Sequence, residues 1–175
     1  MTDALAYPIG PHEPRHEYSA EEREAFIARL AAQPAALAAA LSGLPPATLH
    51  HAYRPGGWTV QQVVHHMADS HMNMFIRIKL ALSVVEPTIL PYDQDAWAHQ
   101  PDVEAVPPMV SVALLAALHE RLVVLLRALT PYQFLRAIIH PENGRMSIEQ
   151  VLGMYAWHGD HHIAHIMALR QREGF

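Results

Sequence analysis

Apolar residues recur at helical spacing through most of the chain. The clearest repeat lies at about 109 to 129, where Val112, Leu115, Leu118, Leu122, Leu125 and Leu129 return every three or four positions before Thr130-Pro131 closes it. A second pattern runs without glycine or proline from Thr59 to Glu86, just ahead of Pro87. A third starts at Ser147 and continues to about Arg172. A fourth starts at Ser19 and carries Phe26, Ile27 and Leu30. Pro34 should break or kink it, leaving an alanine-rich segment over about 35 to 42 that stops at Gly43 and Pro45-Pro46. Three of these segments open on capping-box sequences: Ser19-Ala-Glu-Glu22, Thr59-Val-Gln-Gln62 and Ser147-Ile-Glu-Gln150. Four long helical segments joined by loops of unequal length predict an all-α fold, a four-helix bundle with long crossovers.

The connections differ in character. Residues 1–18 carry Pro8, Pro11 and Pro14 and read as an extended N-terminal arm, packed on the body or on a neighbouring subunit. Pro87 to Pro108 is a loop rich in proline and aspartate that contains Pro91-Tyr92-Asp93 and Trp97. Residues 134–146, with Ile138, Ile139 and the turn signal Pro141-Glu-Asn-Gly144, form a short hairpin or a loop. No internal repeat divides the chain, and its 175 residues suit a single domain, 1–175.

Composition narrows the function. Apolar residues make up 51%, yet no segment approaches the roughly 20 unbroken apolar residues of a membrane span. Met1 to Pro8 lacks the basic and apolar regions of a signal peptide. There is no cysteine, which excludes disulfides, thiolate ligands and a cysteine nucleophile and is compatible with the cytoplasm. The formal charge is −5, and the 12 basic residues are scattered rather than gathered in a stripe, which argues against nucleic acid as a partner.

The chemistry is concentrated in histidines. Trp157-His158-Gly159-Asp160-His161-His162-Ile163-Ala164-His165 places four of them within nine residues of the last helical pattern. Val151, Tyr155, Ile166 and Leu169 mark an apolar stripe whose missing positions are filled by His158 and His162. Residues four apart lie on one side of a helix, one turn above the other. A lone histidine on an apolar face is ordinarily a core residue held by one hydrogen bond. Burying two together without metal leaves several polar nitrogens to satisfy in one small space, so a ligand pair is the better reading.

His161 and His165 share the same spacing on a face beside the stripe, suited to a place next to the ligands or at the mouth of the site. His-Glu-x-x-His is absent, which argues against the zincin arrangement. A second group, His65, His66 and His71, lies on the helix after Thr59. His65 and His66 point about 100° apart, so only one faces the bundle axis, and periodicity favours neither. Asp69, three residues beyond His66, is positioned either to orient an imidazole or to face solvent. Asn73 has a weaker claim to the same role. Trp58 and Trp157 read as core anchors ahead of substrate platforms, Arg54 as a surface arginine ahead of a site for an anionic substrate group, and the set Met67, Met72, Met74 and Met154 as core filler. Tyr92, Asp93 and His140 come from loops able to cover one end of the bundle.

Tyr53-Arg-Pro-Gly-Gly-Trp-Thr-Val-Gln-Gln-Val-Val-His-His-Met-Ala-Asp-Ser-His-Met-Asn73 resembles a motif of the YfiT group of the DinB-like superfamily, and Tyr155 to Ile166 resembles its C-terminal motif. Tyr7-Pro-Ile-Gly10, Pro91-Tyr92-Asp93 with Trp97, and His140-Pro141 extend the likeness over most of the chain. The resemblance implies a four-helix bundle with a three-histidine metal site. In that group the first ligand follows the tryptophan of the Gly-Trp motif by eight residues, which implies His66 rather than His65, and the other two match His158 and His162. Gly159-Asp160 falls where the group varies.

The resemblance implies a metal-dependent hydrolase of a small molecule, with one Zn2+ or Ni2+ per chain, and a homodimer. Asp69 and His161 are the candidates for a catalytic base. The alternative is an S-transferase joining a low-molecular-weight thiol (bacillithiol, mycothiol or glutathione) to electrophiles; with no cysteine in the chain, that thiol is a cosubstrate. A non-catalytic metal-binding protein is the third reading.

Overall fold

The structure, a computed structural model, describes residues 4–175. Four long helices form its frame: α1 (Ala20–Leu41), α2 (Val60–Ser83), α5 (Pro108–Arg127) and α7 (Ile148–Glu173). A 3-10 turn, Pro46–His50, precedes α2. Two short helices, α3 (Gln94–Ala98) and α4 (Pro101–Ala105), break up the long connection before α5. After α5 come α6 (Pro131–Phe134) and an antiparallel hairpin, β1 (Ala137–His140) with β2 (Gly144–Ser147), paired from Ala137–Ser147 to His140–Gly144. Of the two readings for residues 134–146, the hairpin is the one formed. α1 packs against α5 and α7, and α2 against the same two helices, so α1 and α2 occupy opposite corners of a four-helix bundle.

All three predicted capping boxes are present, with Ser19, Thr59 and Ser147 each accepting from the third backbone N–H and the Glu or Gln there reaching back to the cap. Thr130 and Gln133 form a fourth before α6. Two boundaries differ from expectation. α2 stops at Ser83, three residues early, with Val84 already in extended backbone; Glu86, where the following Pro87 disfavours helical backbone, takes a positive φ of 43°. α1 continues through Pro34 as one helix instead of breaking there. By length and composition α1 and α5 could each cross a membrane, but His119-Glu120-Arg121 interrupts the apolar run of α5, and both helices pack within the bundle.

The core has two apolar parts. One gathers Leu30, Met74, Ile78, Leu122, Leu126, Leu152 and Tyr155 near the hairpin. The other gathers Leu37, Val60, Val64, Met67, Leu115, Ile166 and Leu169. Along every long helix the switch between them falls at polar positions: Gln33 on α1, His71 on α2, His119 on α5, and His158 with His162 on α7. A layer of imidazoles therefore crosses the middle of an otherwise apolar bundle.

Candidate metal centre

Helical phase explains how three of these rings meet. His158 and His162, one turn apart on α7, have ring centroids 4.5 Å apart, and His66 on α2 faces them at 5.2 and 4.9 Å. One ring nitrogen from each of the three lies within 4.8 Å of the other two. His66 Nε2 and His158 Nε2 are 3.1 Å apart, close to the roughly 3.3 Å that a tetrahedral metal with bonds near 2.0–2.1 Å imposes on two nitrogens. His162 Nδ1 is buried without a hydrogen-bond partner among the described residues. An unpartnered buried nitrogen beside two converging imidazoles fits the donor set of a borderline divalent cation. The neighbouring His65 is turned away, with Nδ1 2.7 Å from Ser111 Oγ and Nε2 3.0 Å from the Val106 carbonyl. The pair that periodicity left undecided is thus divided by what surrounds each ring.

Burial sets the protonation of the cluster. Desolvation lowers the pKa of His66 to about 4 and holds His158 and His162 well below 6.5, and the neighbouring imidazoles add to the shift of the last two. Neutral imidazoles with available lone pairs are what a metal requires.

A cavity of about 480 Å³ opens onto the three rings. The N-terminal arm closes one side of it: the Ala6 carbonyl lies 3.1 Å from His165 Nε2, and Trp157 Nε1 donates to the Gly10 carbonyl at 3.1 Å. Residues 1–3 lie outside the described residues; from Ala6 onward the arm packs on the body of its own chain. Trp157 stacks on His161 at 4.4 Å, and Tyr53 on His165 at 3.9 Å. Burial lowers the pKa of His161 to about 4. Trp58 sits 4.7 Å from the His66 ring, and its Nε1 donates to Asp95 Oδ1 at 3.0 Å. Two larger cavities, of about 650 and 800 Å³, lie elsewhere and do not contain the three rings.

Several expectations need correction. Trp58 and Trp157 are not simply core anchors, since both line the cavity. Arg54 is not a free surface cation: it is half-buried at the cavity wall, beside the Tyr53 hydroxyl at 3.2 Å. Tyr7, Tyr53 and Asp95 also line it, although sequence reasoning singled out none of them as site residues. All three lie in connecting segments, the N-terminal arm, the turn before α2 and the Pro87 to Pro108 loop, and only the loop paths bring them together.

Asp69 is half-buried and bonds to no imidazole among the described residues; burial, then the charge of Asp102, raises its pKa to about 6. It does not line the cavity, whereas His161 does. Asp93 caps α3 through a 3.0 Å bond from the Ala96 N–H, His140 ends β1, and burial pushes the Tyr92 hydroxyl up to about 12. Asn73 bonds to the Asp69 carbonyl at 2.9 Å.

The model of the DinB superfamily matches residues 29–166. The chain belongs to the DinB superfamily. It is 46% identical over 172 residues to "Putative metal-dependent hydrolase YfiT" of Bacillus subtilis (strain 168), covering 98% of this chain and 97% of that one. A Bacillus mycoides (strain KBAB4) relative, also named a putative metal-dependent hydrolase, is 44% identical over 168 residues, 96% of each chain. The solved structure of B. subtilis YfiT, described as having an unusual four-helix bundle topology, superposes with a TM-score of 0.96 over 99% of both chains. A second solved four-helix bundle protein, at 21% identity, matches with a TM-score of 0.58 over 87% of this chain and 99% of that chain, and supports the fold alone. Family and fold therefore agree with the sequence reading.

Proposed function

We propose that this protein is a hydrolase of a small molecule that holds one divalent cation, zinc or nickel, on His66, His158 and His162. The observation carrying the proposal is the convergence of three neutral imidazoles, His66 and His162 buried and His158 half-buried, on one cavity, with a nitrogen of His162 left unpartnered. The names of the relatives point the same way. A cation held by three imidazoles supplies Lewis-acid chemistry, polarising a substrate oxygen and making water nucleophilic near neutral pH.

The remaining roles belong to the protein. His161, neutral and lining the cavity, accepts the proton of the attacking water; Asp69, outside the cavity, is the rival base. Arg54 offers a cation to an anionic group of the substrate. Trp58, Trp157 and the arm keep bulk water from one side of the cavity.

The first experiment is metal analysis of protein purified without a tag or nickel column, for wild type and His158→Ala. About one zinc or nickel per chain, lost in the variant, supports the reading. Absence of metal, with no thermal stabilisation on adding zinc or nickel, refutes it. Assays of metal-loaded protein with and without added thiols then test the reaction. Turnover that requires thiol would replace hydrolysis by thiol transfer, and metal without any turnover would leave a binding protein.

A further inference from the structure

We propose that His119 and His71 are positioning residues that present the Nε2 lone pair of His158 to the metal, through a hydrogen-bond relay anchored on a carbonyl that Pro34 sets free. The relay crosses all four long helices. His119 Nδ1 (α5) is 2.6 Å from the Leu30 carbonyl (α1). His119 Nε2 is 2.8 Å from His71 Nδ1 (α2), and His71 Nε2 is 3.3 Å from His158 Nδ1 (α7). His158 Nε2 then faces His66 Nε2.

The direction of every bond follows from the anchor. A carbonyl only accepts, so His119 carries its proton on Nδ1. A neutral imidazole has one donor and one acceptor, so His119 Nε2 accepts and His71 Nδ1 must donate. The same step repeats at His71, whose Nε2 accepts from His158 Nδ1–H. Nε2 of His158 is left as the lone pair, pointing into the metal centre. Bonding at one ring nitrogen of a ligating histidine fixes its tautomer and orientation, commonly through a carboxylate or backbone carbonyl. Here the carbonyl acts through two intervening rings, His119 and His71.

Pro34 supplies that carbonyl. In an unbroken helix the Leu30 C=O accepts from the N–H of residue 34, and proline has none. His119 takes the vacated acceptor in the buried interior, where it would otherwise cost free energy. This also accounts for a proline inside a continuous α1. His71 and His119 are 0% and 1% exposed, so water does not compete for these bonds.

The inference rests on the metal reading, and its test separates the two. Zinc affinity of metal-stripped full-length protein would be measured by competition with a chromophoric chelator, for wild type, His162→Ala, His119→Leu and His119→Gln. Side-chain 1H–15N correlation spectra of wild type would report which nitrogen of each ring carries the proton. We expect His71, His119 and His158 protonated on Nδ1, and a 10- to 100-fold weaker affinity in His119→Leu with one zinc still bound. His119→Gln, whose amide oxygen can still accept from His71, should recover most of that loss. A wild-type affinity for His119→Leu, equal losses in the two His119 variants, or protonation of His119 or His71 on Nε2 would overturn the relay. If His162→Ala binds zinc as tightly as wild type, the metal reading fails instead, and the tautomers of the metal-free protein still decide the relay. The spectra of wild type also decide it should His119→Leu not fold.

Discussion

Acidifying the metal-free protein from pH 7 to 5 should destabilise it by about 2 kcal/mol or more. His66 is 4% exposed, and its pKa when folded is about 4 against an ordinary 6.5. Between those values the unfolded chain holds a proton that the folded ring refuses, so stability falls as pH falls, by about 1.4 kcal/mol per pH unit. Over this interval His66 alone contributes a loss of about 2 kcal/mol. His71, His158 and His162 are likewise held well below 6.5, first by desolvation and then by the neighbouring imidazoles, and move stability in the same direction. A loss of about 2 kcal/mol from one ring is already a large fraction of the stability of an ordinary domain.

Asp69 acts in the opposite sense. Its folded pKa, about 6, lies above its ordinary 3.8, so the folded state gains the proton first and recovers about 1 kcal/mol at most over the same interval. One carboxyl does not offset four rings. The assay is urea unfolding of chelator-treated protein at pH 7, 6 and 5, followed by circular dichroism. A midpoint that does not move between pH 7 and 5 would show that the rings take up protons while folded, and the argument for a dry imidazole layer would fail.

Substitutions at three further places probe the frame around the site. Gly159→Ala should lower stability by about 1 kcal/mol, seen as a Tm drop of roughly 2–4 °C, although alanine is the better helix former. Its Cβ would overlap the Gln33 amide, which donates to the Ala156 carbonyl at 2.9 Å and to Asp160 at 3.0 Å; a rise in Tm would mean that Gln33 moves aside freely. Arg23→Met leaves the Glu149 carboxylate, 2% exposed and 2.8 Å from the guanidinium, without its cation, and should cost about 3 kcal/mol in denaturant unfolding. Adding Glu149→Gln should restore part of that loss, and no recovery would deny the pairing its role. Ser147→Ala removes the α7 cap and should cost about 1 kcal/mol by the same measurement; an unchanged midpoint would show that packing alone holds that end.

Much of this architecture was local enough to read along the chain. A capping box needs only a hydroxyl and a Glu or Gln three residues on, so Ser19, Thr59 and Ser147 marked three helix starts correctly. The i, i+4 pair His158 and His162 is likewise a property of one helix, and its place in the apolar stripe singled out that face. The resemblance of the Gly-Trp segment then pointed to His66 before any packing was known.

What one helix cannot contain is the identity of its neighbour. His65 and His66 differ by a rotation about α2, and only the positions of Ser111, Val106 and α7 give the two rings different surroundings. Arg54 and Tyr7 reach the cavity because the turn before α2 and the N-terminal arm fold back over α7. Pro34 read as a helix breaker because its missing hydrogen bond was a local loss, while the side chain that takes the freed carbonyl comes from His119, 89 positions from Leu30. Caps and stripes were decided by the sequence because their partners lie within one turn. The relay and the cavity were decided by tertiary structure, because hydrogen-bond partners on different helices are chosen only when the helices pack.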